Sequence, residues 1–185
     1  VRRNGSALIA FALPADMEKT HFQIFCAHGD SPALRVKTAW KLEDKLYLRL
    51  NAETYGGGLW ATWTDRPLSV AGRVLVETEN GIESKLLDID KDLLLIPNVA
   101  IHMNRQVNDG YKWNPAVDTL PLMGGKDAKG KLNTLLEEAA GGKILGHDLY
   151  LYIRQKASVW GLDNEYISSA ALDDLECAWG CTQGF

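Results

Sequence analysis

Asn80-Gly81 stands between two runs, residues 68–79 and 82–87, in which apolar and polar side chains alternate. Such a pair supplies the turn of a tight antiparallel hairpin, and it constrains this chain more than any other short feature. A second hairpin is expected where residues 34–42 and 45–50 flank Glu43-Asp44, because Leu46, Leu48 and Leu50 alternate with Tyr47, Arg49 and Asn51. Residues 148–155 read as a further strand, with Leu149, Leu151 and Ile153 opposite Tyr150, Tyr152 and Arg154. Residues 93–96 form a short apolar strand ended by Pro97, and residues 6–13 and 22–27 suit two more strands separated by Pro14, Ala15 and Asp16. Helices are expected at 132–140, stopped by Gly141-Gly142, and from Leu172, where Leu172, Leu175, Ala178 and Trp179 begin a helical pattern. Residues 104–122 and 124–130 read as loop.

This order predicts an α/β domain interrupted by a mostly β insertion. A composition shift near Thr38 and the glycines near Gly141 divide the chain into residues 1–37, 38–146 and 147–185. At 185 residues, with 46% hydrophobic and 24% charged side chains, the chain is long and apolar enough to bury a core. A net charge of −4 with 20 scattered Lys and Arg leaves no footprint for nucleic acid. No apolar run reaches membrane-spanning length, and no basic-then-apolar leader is present, so no membrane partner is expected. Cys26, Cys177 and Cys181 are an odd count without metal-type spacing; reduced thiols in a cytoplasmic protein are the simplest reading. The first residue is Val1 and the pattern from Leu172 stops abruptly at Phe185, so both ends read as cuts within a longer protein.

Chemistry concentrates in a few places. His28-Gly29-Asp30 ends the run 22–27, and a spacing of two along extended chain puts both side chains on one face. The histidine can offer one ring nitrogen to a metal while the acid orients the ring from behind; a satisfied polar residue at a strand end is the plainer alternative. Asp173-Asp174 falls where a strand gives way to a helix, placed either to cap the helix or to bridge two metals at a sheet edge. Glu137-Glu138 are adjacent on a helix and diverge by about 100°, so they are read as a solvated face. Gly56-Gly57-Gly58 lacks the Lys-Ser/Thr ending of a phosphate-binding loop and reads as tight backbone packed on Trp60 and Trp63. His21 and His147 carry no supporting pattern, and His102 is ambiguous.

Several blocks together resemble the aspartyl aminopeptidase family of dinuclear zinc exopeptidases. They are Ala27-His28-Gly29-Asp30-Ser31-Pro32, Glu53-Thr54-Tyr55-Gly56-Gly57-Gly58-Leu59-Trp60 and the stretch from Thr62-Trp63-Thr64-Asp65-Arg66-Pro67 to Val74. Ile96-Pro97-Asn98-Val99-Ala100-Ile101-His102 and Ser169-Ala170-Ala171-Leu172-Asp173-Asp174 follow in the same order. The resemblance implies an α/β/α zinc-exopeptidase catalytic domain interrupted by a mostly β dimerisation domain, here residues 38–146. By the same resemblance His28 is a zinc ligand, Asp30 the acid supporting it and Asp173 the carboxylate bridging two Zn2+ ions. His102 matches a histidine that reaches from the insertion into a neighbouring subunit's active site. Gly29 departs from the family, which often has Thr there. The resemblance further implies peptide substrates cut at the N-terminus and a homo-oligomer built from dimers into a dodecamer. The family's general base and remaining ligands lie after the bridging Asp, so this chain alone is expected to be inactive. Trp60, Trp63, Trp113 and the loop 104–122 are read as interface surface. A non-catalytic oligomerisation module and an inactive homologue are the alternatives.

Overall fold

Residues that alternate in polarity every second position can bury one face by pairing side by side, and the long strands between Ala33 and Ile153 do so. The structure, a computed structural model, describes the chain except Val1, Asn4, Met17, Lys19 and Thr20, and the side chains of Arg2 and Arg3; the reading of Val1 lies outside the described residues. Contacts divide the chain into two compact units, Pro32–Ala170 and Val1–Ser31 together with Ala171–Phe185. These boundaries differ from those read at Thr38 and Gly146, because strands cross both positions.

In the unit Pro32–Ala170, six strands form one antiparallel sheet: β3 (Ala33–Glu43), β4 (Tyr47–Tyr55), β5 (Leu68–Thr78), β6 (Gly81–Asp88), β7 (Leu122–Gly125) and β8 (Ile144–Ile153), in the order β6-β5-β8-β3-β4-β7. Here β1 (Arg2–Arg3) and β2 (Ala7–Leu8) are a short antiparallel pair of the other unit. Leu68, Val70, Val74 and Val76 of β5 face Leu149 and Leu151 of β8, Leu34 and Val36 of β3, and Leu50 of β4 in one core. Each such side chain, fully buried, contributes about 1.5–3 kcal/mol.

Helix α2 (Lys131–Ala140), preceded by the four-residue α1 (Pro115–Asp118), covers that core with Leu132, Leu136 and Ala140. It stops as expected: Gly141 is left-handed, and the N–H groups of Gly141 and Gly142 donate to the Glu138 and Glu137 carbonyls. The Glu137 carboxylate accepts the Ile144 N–H at 3.4 Å, so this residue serves the turn into β8.

Both expected hairpins form, with one shift. The β3–β4 turn is held by Asp44, whose carboxylate accepts the N–H groups of Leu46 and Tyr47 at 2.9 and 2.8 Å. Those two bonds lower its pKa. In the β5–β6 hairpin, Thr78 pairs with Gly81, so Glu79-Asn80 is the turn rather than Asn80-Gly81. Gly81, at φ 112°, absorbs the positive dihedral just after it.

Other readings of local sequence change. Residues 122–125 are an edge strand on β4 despite their glycines, and β9 (Ser158–Trp160) pairs with β10 (Tyr166–Ser168) in a hairpin the alternation did not reveal. The strand read at 6–13 is confined to β2, and residues 22–27 are unpaired, with Phe22, Ile24 and Phe25 exposed. A strand exists only beside a partner, and no described element pairs with them. Trp63 is buried and Trp60 packs against the core, so these two serve the unit's interior rather than its surface, whereas Trp113 is half-buried and stacks edge-on to the exposed Tyr111.

Gly72 of β5 lies opposite Leu149 of β8, against its backbone. Its φ is 149°, and a Cβ there would overlap the Asp148 carbonyl oxygen and come within 2.9 Å of Leu149 Cα. Gly81 has a positive φ too, but open space around it. Gly72→Ala is expected to destabilise the protein by about 3 kcal/mol and Gly81→Ala by about 1 kcal/mol, read from urea midpoints. The reverse order would contradict this packing.

Candidate metal centre

Helix α3 (Leu172–Gly184) has an irregular start: Asp173 (φ −84°, ψ 110°) and Asp174 (φ −119°, ψ 22°) are not helical. This start turns the Asp174 carboxylate back toward residues 28–31. The Asp174 Oδ2 accepts the His28 backbone N–H at 3.0 Å, and the Ser31 hydroxyl donates to the Asp173 carbonyl at 3.2 Å. Residues far apart in sequence are thereby tied together within one compact unit. The residue at the start of α3 is Ala171, where no side-chain cap bond forms.

His28 is oriented by its own neighbour. Its Nδ1 lies 2.9 Å from the Asp30 carbonyl oxygen and 3.4 Å from the Asp30 carboxylate. Acid support was expected from the carboxylate; the shorter contact is to the backbone. A proton on Nδ1 satisfies that contact and leaves the Nε2 lone pair for a metal. The Nε2 lies 3.9 Å from the Asp174 carboxylate. The hydrogen bond to Asp30, then the negative charges of Asp174, Asp30 and Asp173, raise the His28 pKa against the opposing effect of desolvation. The Cys177 thiol donates to Asp174, which lowers the carboxyl pKa and raises that of the thiol.

The donor types fit zinc, which takes imidazole nitrogen and carboxylate oxygen. Among the described residues, no three His, Cys, Asp or Glu side chains converge as a metal cage. A Cβ at Gly29 would meet nothing within 4 Å, so the family's Thr fits there. His102 belongs to the unit Pro32–Ala170 and lies in an exposed turn closed by the Met103 N–H to the Ala100 carbonyl at 2.8 Å. At Gly58 a Cβ would crowd the Trp60 ring at 3.0 Å, in keeping with tight aromatic packing.

A cavity of about 350 Å³ opens where β3 leaves β8 beyond Arg35, beneath α2. Its only titratable lining group is His147, whose pKa burial lowers, so it holds no acid–base pair. The sequence pointed to Asp174 only as half of the Asp173-Asp174 pair, and it gave Ser31 and Cys177 no role in the site.

Residues 1–185 match the family described as Aminopeptidase I zinc metalloprotease (M18), and the chain belongs to that family. A probable M18 family aminopeptidase 2 of Clostridium acetobutylicum is 46% identical over 187 residues, covering 95% of this chain and 43% of that protein. The chain thus spans less than half the length of this relative. Among solved structures, the cryo-EM structure of the Ape4 and Nbr1 complex superposes with a TM-score of 0.77 at 33% identity, covering 85% of this chain and 34% of that one. The fold recurs in the S. cerevisiae mApe1 dodecamer, with a TM-score of 0.59 at 22% identity over 76% of this chain and 33% of that one.

In metal-free protein, 15N NMR of the imidazole is expected to show the Nδ1-protonated tautomer when His28 is neutral. Its midpoint should lie above the ordinary histidine value of about 6.5. A dominant Nε2-protonated form or a midpoint below that value would rule out the orientation described.

Proposed function

We propose that the natural protein containing this chain is a zinc aminopeptidase that removes N-terminal residues from peptides. The observation that carries this reading is the His28–Asp30 contact facing the Asp173-Asp174 turn in an M18 sequence. His28 through Nε2 and Asp173 through its carboxylate are the metal ligands in this chain, with two Zn2+ ions in the complete site. Asp30 holds the imidazole in the required tautomer. When bound, zinc lowers the pKa of water toward about 7 and polarises a carbonyl. His102 acts on the substrate as a hydrogen-bond donor from a neighbouring subunit.

The β-rich unit serves as the dimerisation domain in this reading. Leu75 of β5 and Ile82 and Leu86 of β6 share the face opposite the core and remain 42%, 66% and 84% exposed, which supports burial against another surface. The dodecameric state of the S. cerevisiae mApe1 structure is in keeping with a homo-oligomer. Phe22, Ile24, Phe25 and Trp179 of the other unit are also exposed, surface that the additional length of the relatives is suited to cover. The three free cysteines agree with a cytoplasmic setting. Among the described residues no helix is long and apolar enough to cross a membrane.

In the natural gene product, peptides carrying N-terminal Asp or Leu reporters are expected to be hydrolysed. Chelation should abolish turnover and Zn2+ restore it, and His28→Ala and Asp173→Ala should each cost at least about 100-fold in kcat/KM. Turnover that survives both substitutions would refute the assignment.

Mixing His102→Ala chains with chains inactivated at His28 tests the role in trans. Hybrid dimers should recover part of the activity, because each pairing can assemble one intact site. Hybrids that form without any recovery would exclude that role.

A further inference from the structure

We propose that Asp174 and Ser31 are positioning residues that clamp the segment bearing His28 against the backbone of Asp173, setting the spacing of the two metal ligands. The inference rests on the zinc reading above and extends it to two side chains outside the ligand set. Two bonds at the ends of a four-residue segment form the clamp. At one end the His28 N–H donates to Asp174 Oδ2, and at the other the Ser31 hydroxyl donates to the Asp173 carbonyl. Two anchors fix both position and orientation, whereas one would leave a pivot.

Asp174 is turned inward for this task. Its side chain is 17% exposed, against 58% for His28 and 61% for Asp30. It sits at the irregular start of α3, so its bond to the His28 N–H ties that backbone to the start of the helix. Its Oδ2, the oxygen nearest His28 Nε2, is already engaged by a backbone N–H, which marks it as a support and leaves coordination to Asp173. A carboxylate accepting an N–H makes a bond about twice as strong as a neutral pair, so Asp174 is the stronger anchor and Ser31 the weaker.

The test uses the natural gene product, with Co2+ as a spectroscopic substitute for Zn2+. Asp174→Ala is expected to weaken metal binding about 10-fold or more and to shift the visible Co2+ bands. Ser31→Ala should move both in the same direction by less. Asp174→Asn keeps an oxygen that can accept the His28 N–H, and should retain the wild-type bands and most of the affinity. Circular dichroism and melting temperature separate loss of fold from loss of geometry. If the alanine variant does not fold, the asparagine variant decides. An asparagine variant that folds but loses a ligand band would make Asp174 a ligand and overturn the proposal. A folded alanine variant with unchanged spectrum and affinity would overturn it as well. If instead the His28→Ala variant binds metal as the wild-type protein does, the zinc reading itself fails.

Discussion

The β5–β8 ladder is the constraint on which the larger unit depends. It runs from Leu68↔Ile153 to Val76↔Ile144 and joins two strands that residues 79–143 separate along the chain. Because side chains alternate along a strand, this register decides at once that Val70, Val74 and Val76 face inward and that Arg73 and Leu75 face outward. The β6 hairpin extends the ladder on one side, and β3 on the other carries β4 and β7. The close approach at Gly72 leaves no room for a Cβ, so a single residue type maintains the central contact.

The smaller unit is organised by polar contacts more than by apolar packing. His28, Ser31, Asp173 and Asp174 are drawn together by two hydrogen bonds between distant parts of the chain, with a third contact from Asp30 orienting the imidazole. The same carboxylates that arrange the backbone also raise the pKa of His28. In the zinc reading proposed above, a proton and a metal ion would compete for Nε2, and the acidic surroundings that favour a cation at this position would favour both. In that reading it is the Nδ1 contact with the Asp30 carbonyl that leaves Nε2 free to coordinate.

Local readings succeeded where a pattern and its physical cause lay within a few residues. Gly141 ends α2 because its left-handed backbone satisfies the last carbonyls, and Asp44 closes the β3–β4 turn through bonds to residues two and three positions on. They were displaced where a partner strand decides. The glycines of 122–125 resemble loop until β4 supplies hydrogen bonds, while the apolar run 22–27 resembles a strand yet has no paired neighbour among the described residues. The hairpin at Asn80-Gly81 was placed correctly to within one residue; the positive φ falls on Gly81, after the turn.

The sequence by itself determined the antiparallel hairpins, the end of α2, the family blocks and the identity of His28, Asp30 and Asp173 as the residues to watch. Each rests on local alternation, turn chemistry or a contiguous motif, which a one-dimensional string carries in full. Tertiary structure alone decided that Asp30 meets His28 chiefly through its backbone, that Asp174 and Ser31 hold the two segments together, and that Trp60 and Trp63 pack inward. Those contacts join residues remote in sequence or depend on which oxygen faces a ring nitrogen, and neither is encoded in spacing along the chain.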